Sequence, residues 1–111
     1  MKSRRQVFPM LFSLMVLSYA ATVASAAVKG TVVRRISGCD YFIVQTTRNY
    51  DLLEWYGGHD PDKGDVIVGN FESYGMHDII DDTADETLTV WVEDYGLTKE
   101  DALDKLVDAC E

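Results

Sequence analysis

The sequence predicts a mainly β protein: a small antiparallel barrel or rolled sheet of five to six strands with one C-terminal α-helix. Three observations carry this. Short runs of β-branched and aromatic residues recur between clusters of Gly, Asn, Asp and Ser. Residues 88–93 alternate strictly between apolar and polar or bulky positions. After Thr98 the apolar period changes from two to the helical value. Several short strands in one small domain leave many unpaired edges, and closure into a barrel removes them.

The elements follow in order. Residues 28–36 carry three Val with Thr31 and Ile36, a β-branched run that ends at the Ser37-Gly38 turn. Residues 40–46 are aromatic and β-branched, as a pleated surface prefers. Arg48-Asn49 breaks the pattern, and 50–56 form the third strand. There Leu53 and Trp55 share one face, and Leu52, Glu54 and Tyr56 the other. Residues 57–64, with Gly57-Gly58, Pro61 and Gly64, form a loop. Residues 66–71 are the next strand, where Gly69 signals a bend or bulge. Ser73-Tyr74-Gly75 turns the chain into a short strand at 76–80. The acidic loop 81–86 follows; it could receive a cationic partner or a metal, but the favoured expectation is a solvated loop that guards a sheet edge. In the strand at 88–93, Leu88, Val90 and Val92 face one way and Thr89, Trp91 and Glu93 the other. Thr98 is an N-cap with Asp101 three residues on. Leu103, Leu106, Val107 and Cys110 then form the apolar stripe of the helix.

Residues 1–26 have the pattern of an export signal. Lys2, Arg4 and Arg5 precede an apolar run at 10–17, and Ala24-Ser25-Ala26 supplies a small-x-small cleavage site. The run is too short and too interrupted for a spanning helix. Ser3-Arg4-Arg5 matches the start of a twin-arginine signal, but Val7 departs from it, which favours Sec export. The expected working molecule is therefore a single domain at 27–111, periplasmic or secreted, with no membrane insertion after cleavage, and monomeric.

The full chain of 111 residues carries a formal net charge of −9. All 19 acidic residues but only seven of the ten basic ones lie in 27–111, so that part has net −12. Such a field repels phosphate backbones and anionic lipid. Only Arg34, Arg35 and Arg48 offer a basic groove, so nucleic acid is excluded as a partner. A protein partner, and a basic one, fits the charge.

Cys39 and Cys110 are the two cysteines, and one pairing is open to them. An oxidising compartment favours the bond, and the absence of Cys-x-x-Cys argues against a redox pair. The bond would clamp the helix to the first hairpin.

The runs Gly30-Thr31-Val32-Val33, Tyr41-Phe42-Ile43-Val44 and Gly64-Asp65-Val66-Ile67-Val68-Gly69 resemble those of small OB-type barrels, in which a Gly-Asp turn often opens a strand. SH3-like barrels use similar turns, and the chain lacks the helix an OB plan places between its third and fourth strands. The whole chain is also similar to small exported bacterial proteins of unknown function. The resemblance implies an envelope location and no activity.

His59-Asp60-Pro61-Asp62-Lys63-Gly64-Asp65 places three carboxylates in one turn, making Asp60, Asp62 and Asp65 the candidate ligands for calcium. The competing account is a solvated turn set by Pro61. His59 and His77 lack a zinc-site spacing. Tyr56, Gly57, Gly58 and His59 sit at a loop mouth, and with Trp91 they are the candidate partner-binding residues. Trp91 is weighed between that role and a place under the C-terminal helix, and Trp55 between a ligand surface and the barrel core. No nucleophile motif or phosphate-cradling loop occurs, so no catalytic residue is expected. The expected function is a non-catalytic exported binding or structural module of the bacterial envelope. The alternative is an acidic inhibitor of a basic secreted enzyme such as lysozyme.

Overall fold

Alternation along each strand decides which side chains go inside. A computed structural model describes residues 27–111; the expected export signal at 1–26 lies outside the described residues. Six strands form: β1 (Val28–Arg35), β2 (Tyr41–Gln45), β3 (Tyr50–Gly58), β4 (Val66–Gly69), β5 (Gly75–Asp81) and β6 (Glu86–Leu97). They close into a barrel in the order β1-β2-β3-β6-β5-β4, with every neighbouring pair antiparallel. The first half of β1 pairs with β4 and its second half with β2. A register irregularity between Val32 and Arg34 accompanies that change of partner.

The barrel interior is filled by Val32, Phe42, Val44, Leu53, Ile67, Phe71, Ile79, Leu88, Val90 and Val92, all buried. Trp55 packs against this interior cluster. On β2 and β3 the opposite faces are also apolar. Ile43 and Leu52 point out of the barrel and join Ala102 and Leu106 of α1 (Lys99–Cys110) in a second cluster. A strand buried on both faces reads as a continuous apolar run. That accounts for Tyr41-Phe42-Ile43-Val44.

The Oγ1 of Thr98 accepts the Asp101 amide at 3.1 Å and starts α1 as expected, with Glu100 and Asp101 in the favourable first turn. The buried stripe is rotated from the expected one. Ala102 and Leu106 are buried, Leu103 and Cys110 partly so, and Val107 is 54% exposed. The seam therefore runs through Ala102 and Leu106, four residues apart on one face of the helix, and Val107 falls outside it. Cys39 and Cys110 form the expected disulfide, with Cα atoms 5.6 Å apart.

Three further expectations are corrected. β6 runs on to Leu97, because β3 continues to supply backbone partners up to Tyr50↔Leu97. β4 ends at Gly69 rather than at residue 71, and its pairing with β1 shows no bulge at that glycine. The glycine is required by close packing instead, since a Cβ would meet Ile79 Cγ2 at 2.5 Å. Asp81 is a fully buried residue at the end of β5, and the 82–85 turn folds over the start of β4. There the Val66 amide donates to Thr83 Oγ1 at 2.8 Å. In a closed barrel this turn has no free edge to guard. Among the described residues no helix is long and apolar enough to cross a membrane.

Candidate functional site

α1 covers only part of the outer surface of the sheet, chiefly over Val33, Ile43 and Leu52. From its edge outward, where Tyr41 packs against the helix cluster, strand register assembles a second surface. Tyr41 pairs with Glu54, Glu54 with Trp91, and Trp91 with Met76, so these four form one row across β2, β3, β6 and β5. Trp91 is 37% and Met76 48% exposed. Tyr56, 54% exposed, falls at the irregularity between Trp55 and Gly57. It lies close enough to Tyr41 to act on its ionisation.

Carboxylates frame these rings. The Trp91 indole N–H donates to Glu93 Oε1 at 3.1 Å. Burial, and then a hydrogen bond to Glu54, pushes the Tyr41 phenol up to about 12, and Glu93 adds to the shift. Trp91 therefore does not lie under α1; its side chain is on the open part of the face. Trp55 takes the core position, and its indole N–H donates to the His59 carbonyl at 3.0 Å.

At one end of the barrel, the segment from β3 to β4 meets the end of β5. Two contacts hold this segment. The Arg35 guanidinium donates to Asp60 Oδ1 at 2.7 Å and to the Pro61 carbonyl at 2.9 Å while lying 4.9 Å above the Phe42 ring. The His59 amide donates to the Thr87 carbonyl at 3.0 Å. Between these anchors His59 Nε2 comes to 3.2 Å from Asp81 Oδ2 and 3.8 Å from Asp65 Oδ2. The Asp81 side chain is fully buried; its Oδ1 accepts the Ala84 amide at 3.0 Å, while Oδ2 has no hydrogen-bond partner. His59 Nε2 is likewise buried and without a partner. Asp65 is held below the usual carboxylate range, first by the neighbouring Asp81 carboxyl group. Asp81 is pushed up by burial and then by Asp65.

The carboxylates of the 60–65 turn thus have separate roles. Asp65 faces the barrel end and accepts the Asp62 amide at 3.1 Å, whereas Asp60 is engaged by Arg35. His77 lies apart, with its Nε2 2.9 Å from the Ser73 carbonyl oxygen. Of the expected partner-binding residues, Tyr56 and Trp91 belong to the open outer face. Gly57 and Gly58 end β3, and His59 belongs to the barrel-end cluster. Tyr41, Glu54 and Met76 escape a sequence reading because only register brings them beside Trp91, whereas Glu93 shares its face by simple alternation along β6. Asp81 escapes because its burial is hidden within an acidic run.

No family model, no curated protein and no solved structure matches the chain.

Proposed function

We propose that this protein is an exported, non-catalytic binding module of the bacterial envelope that takes a basic protein partner on its open aromatic face. One observation carries the proposal: the in-register row Tyr41–Glu54–Trp91–Met76, which starts at the edge of α1 with the half-buried Tyr41 and ends in the exposed Trp91 and Met76. Aromatic rings edged by carboxylates suit Lys and Arg side chains. The ring faces attract the cation, and Glu54 and Glu93 supply counter-charge. The net −12 of residues 27–111 steers such a partner toward the molecule. The Cys39–Cys110 bond supports an oxidising compartment.

The acidic face gives particular weight to a basic secreted enzyme as the partner, with inhibition as the result. The test uses a basic lysozyme and an acidic protein of similar size as probes on the immobilised, disulfide-bonded protein. Binding of lysozyme that weakens steeply with salt, with no binding of the acidic protein, supports the proposal. Recovery of acidic partners alone from an envelope extract would sink it.

A further inference from the structure

We propose that His59 Nε2, Asp65 Oδ2 and Asp81 Oδ2 form a binding site for a divalent transition cation of the zinc class, which pins the β3–β4 segment to the end of β5. The unpaired buried atoms are the first reason. Asp81 is fully buried, yet its Oδ2 receives no donor, and His59 Nε2 opposite it at 3.2 Å makes no hydrogen bond either. A buried carboxylate oxygen without a partner is costly, and a cation between these atoms satisfies both at once.

Geometry is the second reason. Zinc bonds to nitrogen and oxygen at about 2.0–2.2 Å, which in a tetrahedron separates neighbouring ligand atoms by about 3.3–3.6 Å. The two separations from His59 Nε2, 3.2 and 3.8 Å, bracket that spacing, and all three ligand atoms lie within 4.8 Å of one another. Three protein ligands leave a fourth position for water.

The donor set selects the metal class. One imidazole nitrogen with two carboxylates suits zinc and its first-row neighbours. Calcium asks for about six to eight oxygens, and the turn does not bring them together, because Asp60 is taken by Arg35. The residues come from both sides of the barrel end. His59 follows β3, Asp65 precedes β4 and Asp81 closes β5, so the ion cross-links three strand ends beneath the loop held by Arg35 and Trp55.

The site is tested on the full disulfide-bonded protein, free of any affinity tag and stripped with chelator. Titration with zinc chloride in a calorimeter is expected to show one ion per chain and an accompanying rise in melting temperature. His59→Gln and Asp65→Asn should each weaken binding by at least about 10- to 100-fold. Asp60→Asn combined with Asp62→Asn should leave it unchanged. No saturable binding, or binding that survives His59→Gln and Asp65→Asn, overturns the site. Binding lost in the Asp60→Asn, Asp62→Asn protein also overturns it, and so does calcium binding in preference to zinc. Should the variants fail to fold, cobalt(II) added to the wild-type protein decides. Visible bands of four- or five-coordinate cobalt support the site, and the faint spectrum of the hydrated ion overturns it.

Discussion

Cys39, in the turn after β1, is bonded to Cys110, in the last turn of α1. The bond crosses from the barrel to a helix that shares no buried side chain with the barrel interior. Removing it as Cys39→Ala with Cys110→Ala frees a closed loop spanning a sequence separation of 71. Loop entropy then predicts a loss of about 4 kcal/mol, large for a domain of this size. The loss should fall unevenly. Hydrogen-exchange protection should drop first in α1, while the amides of β3 and β6 hold longest. An unchanged melting temperature in reductant would contradict the clamp.

Asp51 predicts a pH dependence. Its side chain is buried at the start of β3, where Oδ1 accepts the Gly96 amide at 2.9 Å. Burial, then a hydrogen bond with Glu72, raises its pKa from 3.8 to about 8, and Asp94 adds a smaller repulsion. The folded protein therefore holds this proton more tightly than the unfolded chain does. Between about pH 4 and about pH 8 the folded state carries the extra proton, so stability falls as pH rises through that window. Asp51→Asn keeps an acceptor for the Gly96 amide and removes the ionisation. Its melting temperature should exceed that of the wild type near pH 8, with the advantage shrinking toward pH 4. A constant difference across the window would show that Asp51 does not carry the effect.

The outer face predicts a separation of binding from folding. Tyr56 is 54% exposed, so Tyr56→Ala should change stability by only about 0.5 kcal/mol, whereas Trp91, 37% exposed and paired across the strands, should cost about 1–2 kcal/mol as Trp91→Ala and leave the protein folded. If they anchor a basic partner, each should cost about 2 kcal/mol or more of binding, read as a change in lysozyme dissociation constant. Glu54→Lys with Glu93→Lys should abolish capture at low salt by replacing attraction with repulsion. Wild-type capture by these charge-reversed proteins would remove the face from consideration.

Much of this architecture is legible in the sequence, and the gaps have physical causes. The strand runs, the Thr98 cap and the pairing of the cysteines rest on local signals, and all three recur in the structure. Trp91 shows where local signals stop. Its parity, opposite Val90 and Val92, is legible, but whether α1 covers that face depends on how Ala102 and Leu106 seat the helix over Ile43 and Leu52. Asp81 is a second case. It reads as one carboxylate of an acidic run, and its burial follows from pairing with Glu86 and Ile67 across two neighbouring strands. The 59–65 turn draws attention through its carboxylates. Its partner in the cluster comes from sixteen residues beyond Asp65, a juxtaposition only barrel closure creates.

Gly57 and Gly58, adjacent at the mouth of the loop, should respond in opposite ways to the same substitution. A Cβ at Gly57 meets nothing within 4 Å, and its backbone is not left-handed. Gly57→Ala restricts the unfolded chain without straining the folded one, so it should be neutral or stabilising by up to about 1 kcal/mol. Gly58 has φ 77°, and a Cβ there would lie 2.7 Å from the Thr87 carbonyl oxygen and 2.9 Å from Leu88 Cα. Both neighbours are backbone of β6 and cannot rotate away. The left-handed conformation alone costs a non-glycine residue roughly 1–3 kcal/mol, and the clash adds to it. Gly58→Ala should also disturb the adjoining bond from the His59 amide to the Thr87 carbonyl, 3.0 Å in the native fold. Thermal melts of the two variants decide the point: equal effects would mean that this glycine pair serves the mobility of the loop rather than the close approach of β3 to β6.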